Sequence, residues 1–372
     1  MPNRREFLRK MAGASAGMLL LGRGISDAGG GPGQAGGAPK RRVVMVGKRR
    51  VRTVDVHAHV RVPEASDLIK GTPLEGRNTN NLGSYDEREV GPARLQEMDR
   101  EGIDVQALSI NGYWYSADKD LAHRLIDLQN EKLAAICATH PDRFVAFASV
   151  ALQYPELAAQ QLEEGVKRWG LRGAAICGTV PGGEELSSPT YDSFWAKAEE
   201  LQVPVFVHPQ DSANVTGIRN RVQGNGVLAN VIGNPLETTI FLSHMIFEGT
   251  LDRFPNLKLC AAHGGGYLGS YADRMDHGCL VFPQQCKKTI KKHPTEYMKQ
   301  IYVDSLVFTP EALRHLIAVV GVNQIGLGTD YPFPWSTAPV DHVFATPGLS
   351  DADRMAILGG NMCKLLKIPM TA

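Results

Sequence analysis

Eight short runs rich in β-branched and apolar residues recur along the chain, and each is separated from the next by a longer stretch, most of them amphipathic. The runs fall at residues 51–57, 103–110, 144–150, 171–177, 203–208, 257–263, 301–304 and 324–330. Helical periodicity occupies 91–101, 120–140, 155–169, 191–201, 235–248 and 310–320, several of these opening on Pro or Asp as helix starts do. Short strands alternating with helices are the pattern of parallel strands joined by crossovers. Eight of them predict an α/β fold of the (β/α)8 barrel type. At 372 residues the chain is long for one domain, but a barrel with insertions folds as one unit at this length.

Two polar stretches interrupt the alternation, 61–90 after the first strand and 211–234 after the fifth. Loops that follow barrel strands sit over the active face, so both are expected to act as lids; ordinary surface loops would have the same composition. Lys and Arg total 40 against 39 Asp and Glu. That balance gives no overall field to gather nucleic acid or an acidic membrane surface, and points to a small-molecule partner.

The first residues, Asn3-Arg4-Arg5-Glu6-Phe7-Leu8-Arg9-Lys10, precede a small and apolar run at 11–21. This reads as a twin-arginine export signal over 1–30, which predicts a periplasmic protein; an uncleaved basic tail is the competing reading. The apolar run is shorter than the roughly 20 residues a membrane-spanning helix needs, so stable membrane insertion is not expected. Residues 31–50 read as a Gly-rich and then basic linker, with Lys40-Arg41-Arg42 and Lys48-Arg49-Arg50 as a solvated lead-in. The catalytic domain is then 51–372. Six Cys are scattered with no Cys-x-x-Cys pair, which indicates neither a zinc knuckle nor a redox dithiol. In an exported protein Cys279 and Cys286 could pair, although spacing does not establish it.

The chemistry gathers where strands end. In Val54-Asp55-Val56-His57-Ala58-His59 the two histidines are one residue apart, so strand alternation turns both to the same side. Three more runs finish on a potential ligand or acid/base group, at His208, His263 and Asp330. Three neutral imidazoles and one carboxylate suit a borderline divalent ion, Zn2+ first, with Mn2+ among the alternatives. Asn111-Gly112-Tyr113-Trp114-Tyr115 follows the second strand, where Trp114 and its neighbours could floor a pocket for a planar substrate or simply pack a loop. His244 reads as a helix-packing residue. Asp304 could orient a ligand or serve a structural hydrogen bond.

These residues resemble the amidohydrolase superfamily, and within it the branch of aminocarboxymuconate-semialdehyde decarboxylase and related nonoxidative decarboxylases. The likeness runs over 51–368 and rests on His57-Ala58-His59, His208-Pro209, Phe254-Pro255 leading to His263-Gly264-Gly265-Gly266, Val303-Asp304-Ser305, and Gly328-Thr329-Asp330-Tyr331-Pro332-Phe333-Pro334. It implies that His57, His59, His208 and Asp330 hold a metal ion and that His263 is the acid/base beside it. Arg274 matches an arginine that reaches the substrate carboxylate of a neighbouring subunit, which implies a homodimer; a surface pair with Asp273 or Asp276 is the plainer reading. Relatives with two metals carry a lysine on the fourth strand. Here that strand reads Arg172-Gly173-Ala174-Ala175-Ile176-Cys177, so one metal is expected. The implied activity is decarboxylation of an aromatic or unsaturated acid, with hydrolysis of a lactone, ester, amide or C–C bond as the alternative. Two departures stand out: Gln210, expected to touch substrate, occupies the place of a tryptophan, and only Arg77 and Arg88 are candidates for the arginine of the first loop.

Overall fold

Strand formation follows the β-branched and apolar runs closely. The computed structural model describes residues 41–78, 90–210, 221–222, 227–286, 288–335 and 338–370. Its strands are β1 (Met45–Val46), β2 (Arg49–Arg50), β3 (Val54–His59), β4 (Val105–Ser109), β5 (Phe144–Ala146), β6 (Ala148–Ser149), β7 (Ala174–Cys177), β8 (Pro204–His208), β9 (Lys258–Ala261), β10 (Tyr302–Asp304) and β11 (Ile325–Gly326). From β3 onward every neighbouring pair is parallel and in chain order. Between β5 and β6, Phe147 donates back to Leu108 while Ala148 donates forward to Gly173, so these two pieces form the third barrel strand.

Closure comes from the last strand meeting the first. Asp55 bridges Leu327 and Ala58 bridges Tyr331, both parallel, and the Val56 N–H reaches the Leu327 carbonyl at 2.9 Å. The result is the expected eight-stranded barrel, with a strand on each of the eight runs, the first of them extending to His59. Six helices expected from periodicity are present within a few residues of their limits, among them Pro92–Glu101, Lys119–Thr139 and Pro310–Val320. Several begin with Pro at the first turn, where a missing N–H costs nothing. Phe147 and Phe206 stack with centroids 5.4 Å apart, and the His57 ring lies 5.2 Å from Phe206. The apolar packing therefore runs up to the first histidine.

The linker reading of 31–50 is corrected for its second half. Residues 41–50 carry the antiparallel β1–β2 hairpin, with Val44 and Val46 buried against the barrel. Arg41 pairs with Asp104 at 2.6 Å, and Arg42 pairs with Asp341. The basic clusters drew attention away from the alternating valines between them. The domain thus begins before residue 51, and the described residues belong to one compact unit, Pro39–Ala372. The export signal at 1–30 and Arg88 lie outside the described residues. Among the described residues no helix is long and apolar enough to cross a membrane. Cys279 and Cys286 are disulfide-bonded, their Cα atoms 5.4 Å apart.

Candidate active site

β3 delivers two histidines to one place through a local irregularity. Its register against β4 shifts between Asp55 and Ala58, a bulge of the kind that re-aims side chains beside active sites. Asp55, fully buried, fixes this segment: it accepts from the His57 backbone N–H, from the N–H and hydroxyl of Thr329, and from Gln106. One carboxylate therefore ties the first, second and last barrel strands together beneath the ligands. Burial pushes the Asp55 carboxyl up to about 6, with these hydrogen bonds working the other way.

The four expected ligands converge. His57, His59, His208 and Asp330 are all buried and each offers an atom such that all four lie within 4.8 Å of one another, a metal site in which no fifth group has to be invoked. Among the described residues it is the one such cluster. The ring orientations favour a cation. His57 Nδ1 lies 2.6 Å from Asp304 and His59 Nδ1 meets the Ser109 hydroxyl at 3.1 Å, which turns both Nε2 atoms inward, 3.3 Å apart and at 3.1 and 2.9 Å from Asp330 Oδ1. Neither ring nitrogen of buried His208 has a hydrogen-bond partner. Burial, then the adjacent imidazoles of His59, His57 and His263, hold His208 well below the usual histidine range, so it is a neutral donor. Burial opposes the charge on Asp330, but His57 and hydrogen bonds from His263, His57 and His59 more than reverse this, and its pKa lies well below the carboxylate norm. Two inward-facing Nε2 atoms, an orphaned imidazole and a carboxylate in one buried space fit a divalent cation.

Asp304 is the support that the sequence left open. It is fully buried and accepts four hydrogen bonds, from His57 Nδ1, the backbone N–H groups of His263 and Gly264, and Leu306. It thereby orients a ligand and the neighbouring acid/base together. His263 Nε2 lies 3.3 Å from Asp330 Oδ2. Both residues have left-handed backbones, φ 56° and 62°, a conformation that costs energy and is held by these surrounding bonds.

The cluster opens on a cavity of about 450 Å³ lined by His59, His208, His263 and Asp330 at one end and by Arg61, Arg77 and Gln210 among the other walls. Gln210 and Arg77 thus line this cavity. Trp114 does not: it is fully buried, its indole donates to the Val150 carbonyl at 2.9 Å, and Tyr113 faces the cavity instead. In three consecutive aromatics the sequence does not tell which one turns toward the pocket. The glycines after His263 do not line the cavity. Their φ values are positive, and a Cβ on Gly266 would stand 2.3 Å from the Pro235 carbonyl, so they let the chain pass against the helix Asn234–Phe247. His244 makes an exposed pair with Glu248 rather than packing or touching substrate. Arg274 is exposed on the helix Ala272–Val281, away from this cavity.

Arg61, Phe333 and Trp335 also line the cavity and were given no role from sequence. For Arg61 a signal existed: the two-residue step that pairs His57 with His59 continues to it. Arg94 was missed as well. It is fully buried, donates to the His59 carbonyl and to Gln106 at 2.8 Å each, and lies 4.5 Å from the centre of the Tyr331 ring.

The family model for amidohydrolases matches residues 54–368, and the chain belongs to that family. Among curated relatives it is 33% identical to 2-amino-3-carboxymuconate-6-semialdehyde decarboxylase of Dictyostelium discoideum, over 73% of this chain and 75% of the relative. It is 29% identical to gamma-resorcylate decarboxylase of Rhizobium radiobacter, over 75% and 88% of the two chains. A solved dihydroxybenzoic acid decarboxylase from Polaromonas, with bound manganese and an inhibitor, superposes with a TM-score of 0.70 at 25% identity, covering 85% of this chain and 97% of that one. The branch of aminocarboxymuconate-semialdehyde decarboxylase is therefore where this chain falls.

Proposed function

We propose that this protein is a metal-dependent nonoxidative decarboxylase of an aromatic or unsaturated carboxylic acid. The observation that carries the reading is the four-residue ligand cluster with His263 beside it, at the closed end of a cavity large enough for a single-ring acid. The names of the relatives favour decarboxylation over the hydrolytic alternative. A divalent cation held by His57, His59, His208 and Asp330 would supply Lewis acidity toward an oxygen of the bound acid. Zn2+ is the first choice for three imidazoles and a carboxylate, with Mn2+ the alternative.

This chain's own residues do the rest. Arg61 and Arg77 bring positive charge to the cavity wall and suit an anionic substrate. As the bond to the carboxyl group breaks, CO2 departs and the bonding pair stays on the substrate carbon, which must take up one proton. His263, held through its backbone by Asp304 and through Nε2 by Asp330, is placed to carry that proton. The reading is tested by offering metal-loaded protein a panel of aromatic and unsaturated acids and, in parallel, lactones and esters. Release of CO2 from an acid supports it; hydrolysis of a lactone or ester without CO2 release from any acid contradicts it.

Three further parts of the reading go with it. A homodimer is supported by Tyr271, Leu280, Val281 and Phe282, large apolar side chains left exposed on and beside the helix that carries Arg274. Among the described residues no carboxylate pairs with Arg274, and Asp276 bonds Thr295 instead. An equimolar, freely reassorted mixture of Arg274→Ala and His263→Asn chains, each inactive alone, should recover about a quarter of the wild-type rate, because about half of the dimers are heterodimers and one of the two sites in each is whole; no recovery refutes the shared site. The described ends of the two insertions, at Arg77 and Asn78 and at Ala229 and Asn230, reach the cavity and support lids. Export through the twin-arginine route is tested by an Arg4→Lys, Arg5→Lys variant, whose periplasmic yield should fall; an unchanged yield refutes it.

A further inference from the structure

The residue that departs most from the family pattern is held in place by a thiol. Gln210 follows the ligand His208 by two residues and lines the cavity, where the resembling decarboxylases carry a tryptophan. Its backbone N–H donates to Glu237 at 3.3 Å. Its side-chain Oε1 lies 3.0 Å from the sulfur of Cys177, the last residue of β7 and the register partner of His208. Cys177 is buried, and burial followed by the charge of Glu237 pushes its thiol far up, so the S–H persists as a donor at any working pH. Cys177 is therefore neither a ligand nor a nucleophile. Its side-chain neighbours are the Gln210 carbonyl oxygen and the Tyr115 hydroxyl, of which only the first lines the cavity.

A carboxamide whose oxygen is engaged on one side must turn its NH2 to the other. Among the described residues nothing accepts from Gln210 Nε2. We propose that Cys177 positions Gln210 so that its carboxamide N–H groups donate into the cavity, making Gln210 a specificity residue for substrates with a hydrogen-bond-accepting ring oxygen. An indole at this place offers a flat apolar face and one donor; the carboxamide offers two donors and little apolar area. A site built to donate rejects an analogue lacking the acceptor, because the donors it displaced from water are then left without a partner. This inference rests on the reading of the cavity as an aromatic-acid site, but not on the acid being decarboxylated.

Binding separates the two. Calorimetric titration of Zn2+-loaded full-length protein with benzoate, 3-hydroxybenzoate, 4-hydroxybenzoate and 3-methoxybenzoate measures the gain from a ring oxygen without requiring turnover. At least one oxygenated acid should bind about tenfold more tightly than benzoate. In Gln210→Leu that preference should collapse to near unity, and Cys177→Ala should reduce it severalfold while Cys177→Ser, which keeps a donor, restores it. A purely structural role for Cys177 would weaken all four acids alike and would not be rescued selectively. No preference for any oxygenated acid, or a preference that survives in Gln210→Leu, overturns the proposal. Binding with the expected preference but no CO2 release from any bound acid would count against the decarboxylase reading and leave Gln210 in the assigned role.

Discussion

Replacement of Asp304 with asparagine isolates the group on which the site most depends. The carboxylate is fully buried and each oxygen takes two donors: Oδ2 accepts from His57 Nδ1 at 2.6 Å and the His263 N–H at 2.9 Å, and Oδ1 from the N–H groups of Gly264 at 2.8 Å and Leu306 at 3.1 Å. Asparagine keeps one oxygen. Whichever way its amide turns, two buried donors face an NH2 group. Each lost partner costs about 1–3 kcal/mol, and a domain of total stability about 5–15 kcal/mol survives most of that range. The larger effect falls on the metal, because the His57 ring loses the bond that fixes its tautomer and direction; affinity should drop about 10–100-fold. Competition against a chelator of known affinity measures the loss of metal affinity, and denaturant unfolding of the metal-free protein the loss of stability. An asparagine variant with wild-type metal affinity and unfolding within about 0.5 kcal/mol of wild type would refute the role given to Asp304.

Other outcomes follow from the same geometry. His263→Asn should lower turnover by about 10²–10⁴-fold with one metal per chain still bound; elemental analysis beside the CO2 assay checks both, and a fully active variant removes His263 from the chemistry. Trp114→Ala should destabilise by about 3–5 kcal/mol as a buried aromatic lost from the core, while an effect confined to KM would restore Trp114 to the substrate pocket. Burial pulls the His57 ring down, but Asp330 and Asp304 more than offset it and raise its pKa to about 10. Below that value a proton must leave before Nε2 can bind a cation, so Zn2+ affinity should rise with pH, about tenfold per unit between pH 6 and 8; an affinity independent of pH would contradict this.

Strand-end chemistry was the most legible part of the molecule. Each barrel strand is a short apolar run, and five of the eight runs end in His or Asp, which puts His57, His208, His263, Asp304 and Asp330 at one rim; the choice of His57, His59, His208 and Asp330 as ligands came from the family resemblance. The last strand was harder: its regular ladder covers only Ile325–Gly326, and two isolated bridges complete the closure before Asp330 turns into a left-handed conformation. Such a segment is defined by its neighbours rather than by its own periodicity. Support residues were less visible still. Asp55 and Arg94 act through partners about 50 or more and about 35 residues away in the chain, and nothing in local pattern distinguishes a buried charge with partners from a surface one. Of the aromatics expected at the pocket, Trp114 turned into the core and Tyr113 reached the cavity, because orientation in a loop has no period. The β1–β2 hairpin was hidden by lysines and arginines flanking its valines. Gln210 could be noticed only as a departure, and its orientation became readable when Cys177 was found beside it.

The central claim is a metal-dependent loss of CO2 at this cluster, and carboxyl-labelled substrate in D2O tests it in one reaction. Metal-loaded protein turning over a 13C-carboxyl aromatic acid should release labelled CO2 and place one deuterium on the vacated carbon in equal amounts, with one divalent cation per chain and no reaction after chelation. Consumption of the acid without labelled CO2, or an undiminished rate with no bound cation, would contradict it.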